Sequence, residues 1–278
     1  MNSTGTFKSL AAAALVALTL PAVGMAQSIV STGQSFVSAH LLPGSRQEDG
    51  SRLAGLRLTM TPGWKTYWRT PGQAGIPPKM DWTASRNVAT VEVLWPRPYI
   101  FMSFGMRTVG YEDEVVLPLH VTPVDPDQPI HLSLTAELGV CEEICVLEAV
   151  TVAEDIAADL RPIGYRQIRR AMRAVPVPAA TTDVHLVACS ITGQGDRRQL
   201  NVQLSSPHFD DMPEVLVEGS NKVWVYMYET SMDGADVTIS ADLQLPGSIS
   251  WVDRSALRFT VLGADYAADI QGCIPTAG

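Results

Sequence analysis

From Phe36 to Val152 the chain changes character about every ten residues: a short run rich in Val, Leu, Ile and Thr, then a cluster of Pro, Gly or charge. Runs of that length at that spacing suit strands rather than helices, and they predict an antiparallel β-sandwich. Phe36–Leu42 reads as a strand that ends at Pro43-Gly44, and Leu53–Met60 alternates from Leu56 onward as a half-buried strand. Pro62-Gly63 marks a turn. In Trp64-Lys65-Thr66-Tyr67-Trp68-Arg69, a strand puts Trp64, Thr66 and Trp68 on one face and Lys65, Tyr67 and Arg69 on the other. Thr70-Pro71-Gly72 and Gly75-Ile76-Pro77-Pro78 exclude a helix there. Val88–Leu94, Tyr111–Val121, Ile130–Leu138 and Val146–Val152 complete the series. Tyr99–Gly105 follows the break Trp95-Pro96-Arg97-Pro98. It is dense in apolar residues without clean alternation, and it reads as an irregular segment rather than a paired central strand.

The pattern then changes. Arg161, Arg166, Arg169, Arg170 and Arg173 interleave with Ile163, Ile168 and Met172, which predicts a short amphipathic helix ended by Pro176. Its basic face is either simply solvated or a docking patch for an acidic partner. Val175-Pro176-Val177-Pro178-Ala179-Ala180 reads as a stiff linker. Strands resume at Val184–Ile191, Leu200–Ser205, Val215–Val217, Val223–Tyr228, Val237–Leu243 and Leu257–Leu262, with a hairpin-type turn at Asp233-Gly234. The expected architecture is all-β: two tandem sandwiches, over residues 27–158 and 182–278, joined by a helix and Pro-rich linker over 159–181.

Residues 1–26 read as an export signal. Lys8 precedes an apolar run of about 14 residues from Leu10 to Val23, and Gly24-Met25-Ala26 supplies small residues at the cleavage positions. A membrane-spanning helix needs around 20 residues, so cleavage after Ala26 is expected rather than anchoring. The formal net charge of −9 argues against nucleic-acid binding, which requires a basic footprint.

An exported chain with four cysteines favours disulfides over free thiols. Cys141 and Cys145 are separated by Glu142-Glu143-Ile144. On one straight strand their Cα atoms would lie roughly 13 Å apart, whereas a disulfide needs about 4.4–6.8 Å. Either the chain bends at the two glutamates, or the thiols stay reduced, or they bind a metal. With the bend, the pairs expected are Cys141–Cys145 and Cys189–Cys273. Chain entropy gives the short bridge roughly 2 kcal/mol and the long one roughly 4.6 kcal/mol. The long bridge therefore suits a structural role, and the short one invites a redox role.

Four stretches then carry a resemblance. Pro62–Pro78, Leu94–Pro98, Gly110–Pro118 and Gly139–Val146 are similar, in that order, to the N-terminal periplasmic domain of the thiol:disulfide interchange protein DsbD and its ScsB relatives. The likeness covers about residues 30–155, and residues 182–276 resemble the second domain of the ScsB-type branch more weakly. The resemblance implies immunoglobulin-like sandwiches and a protein-disulfide reductase component that needs no cofactor. Cys141 and Cys145 fall on the family's redox cysteines. The aromatic stretch with Tyr99, Phe101, Met102 and Phe104 falls where the family has a shielding cap. Electrons would come from a membrane-embedded partner acting in trans and pass to thioredoxin-fold proteins of the periplasm. Leu147 stands where a proline usually follows the second cysteine, and Lys65 where a histidine is common. Glu142 and Glu143 would raise the thiol pKa values by like-charge repulsion and slow unwanted exchange.

Two other classes use the same residues differently. In a copper-binding or copper-resistance module, Cys141 and Cys145 would be soft ligands joined by Met102, Met106, His120 or His131. In a noncatalytic adaptor, the tandem sandwiches alone would form a binding surface. A hydrolase has little support, since the chain carries no G-x-S-x-G elbow, paired-His metal motif or P-loop.

Overall fold

A computed structural model describes Met1 and residues 35–103, 105–209, 211–219, 223–247 and 251–274. Apart from Met1, the export signal expected over residues 1–26 lies outside them, as does Phe104. The first sheet-rich region begins with β1 (Val37–Arg46), β2 (Arg52–Met60), β3 (Lys65–Gly72), β4 (Lys79–Asp81) and β5 (Val88–Val93). It continues with β6 (Tyr99–Ser103), β7 (Met106–Glu112), β8 (Glu114–Pro123), β9 (Ile130–Cys141) and β10 (Cys145–Ile156). One sheet has the order β1-β2-β8-β5. The other has β10-β9-β3-β7-β6, with β4 also paired to β9. Alternate residues of both sheets, among them Leu56, Leu58, Trp68, Leu117, Leu132 and Leu138, meet in one core. Trp64 joins them and stacks on Phe36 at 3.7 Å between ring centroids.

Strand ends depart from the sequence pattern where a local device overrides it. β1 does not stop at Pro43-Gly44; its register shifts between Leu42 and Ser45 and the strand runs on to Arg46. That bulge is paired in turn by Ile163, through Gly44 N–H to Ile163 O at 2.9 Å and the reverse bond at 3.2 Å. The run expected as one strand from Tyr111 to Val121 is two, because Asp113 adopts φ 60° and the chain passes from one sheet to the other there. Asp and Asn tolerate this left-handed conformation better than most residues. Asp113 also fastens the preceding turn: its backbone oxygen accepts from Met60 N at 2.6 Å and its carboxylate from Gly63 N at 2.9 Å. Tyr99–Ser103, read from sequence as an irregular segment, is an edge strand paired to β7. An edge strand buries little, and here Ile100 reaches the core while Tyr99 and Met102 face solvent. That uneven burial erases the alternation a central strand shows.

α1 (Tyr165–Met172) links the two regions and is the one α-helix among the described residues. Ile168 is fully buried against the backbone of Gly55 on β2, while Arg161, Arg166, Arg169, Arg170 and Arg173 are exposed. The segment expected as a stiff linker pairs with the second region: β11 (Val177–Pro178) runs parallel to a later strand, and Ala179–Thr181 forms a 3₁₀ turn. Proline suits such an edge position, where no N–H is needed.

The second region adds β12 (His185–Thr192), β13 (Arg197–Ser205), β14 (Glu214–Glu218), β15 (Trp224–Asp233), β16 (Asp236–Gln244), β17 (Arg258–Leu262) and β18 (Ala267–Gln271). Its sheets have the orders β11-β18-β17-β14 and β12-β13-β16-β15 around a second core. β18, like β4 and β11, is a strand the sequence reading lacks; it is short, and Asp269 breaks its apolar pattern because that carboxylate pairs with Arg258. Residues 35–278 cluster as one compact unit. The regions are continuous in their packing, since Leu216 and Leu262 of the second are buried in the core of the first.

Candidate redox site

β9 and β10 form a hairpin in register from Ile130↔Ile156 to Cys141↔Cys145. The three residues between the cysteines turn the chain, and Glu142 N donates to Ile144 O at 3.1 Å. This fold-back brings the cysteine Cα atoms to 4.2 Å, and their sulfurs are bonded. Topology makes the two sulfurs unequal. β9 is flanked on its other side by β3, with Lys65 opposite Cys141, whereas β10 is a sheet edge. Cys141 is 2% exposed, and Cys145 is exposed.

The group that holds the disulfide is Tyr67. Lys65, Tyr67, Gly139 and Cys141 lie on the sheet face opposite the core, because side chains alternate along β3 and β9. From β3 the tyrosine reaches diagonally, a distance long side chains span. Its hydroxyl donates to Cys141 Sγ at 2.8 Å and lies 3.4 Å from Cys145 Sγ. Gly139 and Gly75 make room for the ring: a Cβ on Gly139 would stand 3.0 Å from one ring edge, and a Cβ on Gly75 2.7 Å from the other. Gly75 belongs to the segment 70–78, which leaves β3, folds over Tyr67 and also brings Ile76 against Gly139. Burial pushes the Tyr67 phenol above its ordinary pKa, so the hydroxyl keeps its proton and remains a donor.

The residues named from sequence fall in different places. Glu142 and Glu143 are exposed on the turn beside the disulfide. Ile144 and Leu147, 62% and 58% exposed, give Cys145 an apolar surround. Of the expected cap, Tyr99 and Met102 are exposed, while Phe101 lies under the Lys65 ammonium, 5.6 Å from the ring centroid. Lys65 also pairs with Glu112 at 3.2 Å. β6 is three strands from β9, roughly 14 Å across the sheet. The side chain bonded to the sulfurs is Tyr67, under segment 70–78.

The other set of candidate ligands is scattered. His120 is on the opposite sheet and bonds Ser51 at 3.1 Å; His131 is at the far end of β9 and pairs with Asp155 at 2.6 Å. Met102 and Met106 are exposed on the β6–β7 hairpin. Among the described residues no three His, Cys, Asp or Glu side chains gather as a metal site. Cys189 and Cys273 are bonded and buried, and Arg254 donates to both of their carbonyl oxygens, at 2.6 and 3.0 Å.

Sequence reasoning missed Tyr67 as a site residue, although its signal was present. An aromatic on the strand face shared with Lys65 and Arg69, opposite the core-facing tryptophans, needs a partner on that outer face.

Fold and site together define a two-region β protein with a local, solvent-reachable disulfide on its first region. Residues 38–156 match the family described as thiol:disulfide interchange protein DsbD, N-terminal. The N-terminal periplasmic domain of ScsB from Proteus mirabilis has a similar crystal structure, with TM-score 0.65 and 24% sequence identity. The likeness covers 94% of this chain and 97% of that one, so the shared fold extends over both regions. No curated protein sequence matches significantly.

Proposed function

We propose that this chain is a periplasmic thiol–disulfide relay protein, with immunoglobulin-like regions, whose working pair is Cys141–Cys145. The carrying observation is the inequality of the sulfurs: Cys145 is open to solvent, and Cys141 is buried under the Tyr67 hydroxyl. A donor thiolate attacks Cys145 Sγ, the Cys141–Cys145 bond breaks, and Cys141 leaves as a thiolate that the Tyr67 O–H stabilises. The donor's second thiolate then attacks the donor sulfur of the mixed disulfide and releases Cys145. The donor ends oxidised to its disulfide, and this pair, with two electrons and two protons gained, ends as a dithiol. In the second half Cys145 attacks the disulfide of a thioredoxin-fold acceptor, and Cys141 resolves the mixed disulfide.

The donor of this reading is a membrane-embedded protein acting in trans. Glu142 and Glu143 disfavour the thiolates of the reduced pair until a partner docks on the apolar surround of Ile144 and Leu147. The family match over residues 38–156 supports the relay, as does the scatter of the candidate copper ligands. Trapping tests it. Reduced Cys141→Ser retains the attacking Cys145 and should form a stable mixed disulfide with an oxidised thioredoxin-fold protein. Cys145→Ser should not. Equal trapping by both variants, or by neither, would contradict the assignment.

A further inference from the structure

The segment that covers Tyr67 is held from outside the first region. β14 carries a carboxylate at each end. Glu218, its side chain 11% exposed, accepts from Arg69 Nε at 2.9 Å, from the Arg69 terminal nitrogen at 2.6 Å and from the Thr70 hydroxyl at 2.7 Å. Arg69 donates further to the Thr260 hydroxyl at 3.1 Å. Glu214 accepts from Arg107 at 2.6 Å. The Arg107 backbone in turn bonds Gln73, through Gln73 N to Arg107 O at 2.9 Å and Arg107 N to Gln73 Oε1 at 3.1 Å. The two carboxylates therefore grip segment 70–78 where it leaves β3 and again three residues on. Behind it lies a cavity of about 500 Å³, lined by Pro71, Gln73, Pro77, Leu216 and Val223 among others. Polar ties, rather than close packing, back this segment.

We propose that Glu218 is a positioning residue for the Cys141–Cys145 disulfide, through which the second region holds segment 70–78 closed over Tyr67. The proposal rests on reading that disulfide as the exchange pair. Arg69 and Tyr67 occupy one face of β3, two residues apart, so the grip on Arg69 and Thr70 fixes the strand end from which the tyrosine reaches Cys141. Loss of the carboxylate leaves Arg69 with a largely buried charge that lacks its counter-ion and is relieved only by moving out toward water. Movement of that stem carries Gly75 off the tyrosine ring and opens the disulfide.

The test is the rate at which dithiothreitol reduces Cys141–Cys145 in the full chain. Glu218→Ala should speed reduction roughly three- to tenfold, the equivalent of about one lost hydrogen bond. Glu218→Gln, which keeps an acceptor oxygen, should fall between it and the parent. Val237→Ala, deep in the second core, is the control for lost stability and should lower the melting temperature without changing the rate. In a Tyr67→Ala background, Glu218→Ala should add nothing. An unchanged rate in Glu218→Ala, an equal rise in Val237→Ala, or additivity with Tyr67→Ala would overturn the proposal. Should Glu218→Ala fail to fold, Thr70→Val removes one tie alone and should still raise the rate. Dithiothreitol needs no protein partner, so a chain that exchanges with no thioredoxin-fold protein would sink the relay reading and leave this result legible.

Discussion

At the residue scale, reactivity turns on one hydroxyl and two absent side chains. Tyr67→Phe keeps the ring and removes the donor to Cys141 Sγ. The Cys141 thiol of the reduced protein should then be harder to ionise, because its thiolate loses a hydrogen-bond donor. Thiolate absorbance against pH measures it, and an unchanged curve would mean that the hydroxyl leaves the thiolate after reduction. Gly139→Ala acts on the cover instead. Its Cβ would stand 2.7 Å from Ile76 Cβ and 3.0 Å from the tyrosine ring, so one of them must shift. A loss of about 1–3 kcal/mol is expected from overpacking, together with faster reduction by a small thiol. Lost stability without faster reduction would separate packing at Gly139 from shielding.

At the element scale, the two disulfides close loops of very different length and lie at different depths. Cys145 is on an exposed sheet edge, whereas Cys189 and Cys273 are 5% and 0% exposed. Mild dithiol should reduce Cys141–Cys145 first. Paired Ser variants should cost about 2 kcal/mol for the short bridge and about 4–5 kcal/mol for the long one. Denaturant melts and peptide mapping check both, and prior reduction of the buried pair would contradict the order. The hairpin around the short bridge was legible in sequence because two apolar runs flank Glu142-Glu143, and charge next to strand propensity marks a turn. β6 was not, since an edge strand whose side chains are at most partly buried carries no clear period. Nor was the break at Asp113, because the apolar pattern continues across it and only the backbone conformation changes. The cover on Tyr67 depends on Gly75, in the segment after β3, and Gly139, on β9, which are 64 positions apart and flank opposite edges of one ring. No local pattern encodes that.

At the scale of the whole molecule, the two regions share buried apolar and ionic contacts, so their titratable groups act on one stability. Burial raises the phenol pKa of Tyr67, Tyr111 and Tyr228, with Tyr111 shifted most, in the first core and donating to Pro96 O at 2.7 Å. Tyr228 lies beside Arg107 between the regions. A phenol whose folded pKa is raised binds its proton more tightly in the folded chain. Its contribution is complete below the ordinary value of about 10 and is lost as pH rises from there through the folded value. The acid side has the opposite sign. Hydrogen bonds from Ser51, Thr83, Gln244 and Ser255 hold the exposed carboxyls of Asp49, Asp81, Asp196 and Asp253 below the usual range. Their contribution is present above about 3.9 and is lost as pH falls through the depressed values. The oxidised cysteines do not titrate in either limb. Melting temperature should therefore fall above pH 10 and again below pH 4. The alkaline limb should be the steeper, because buried phenols lose more on ionising than surface carboxylates gain from single hydrogen bonds. Phenolate absorbance recorded with the melt distinguishes the cause: the three buried tyrosines should ionise only with unfolding, after the exposed ones. Ionisation of every tyrosine near pH 10 with the fold intact would show that these hydroxyls reach solvent, and would remove Tyr67 as a protonated donor to the disulfide at high pH.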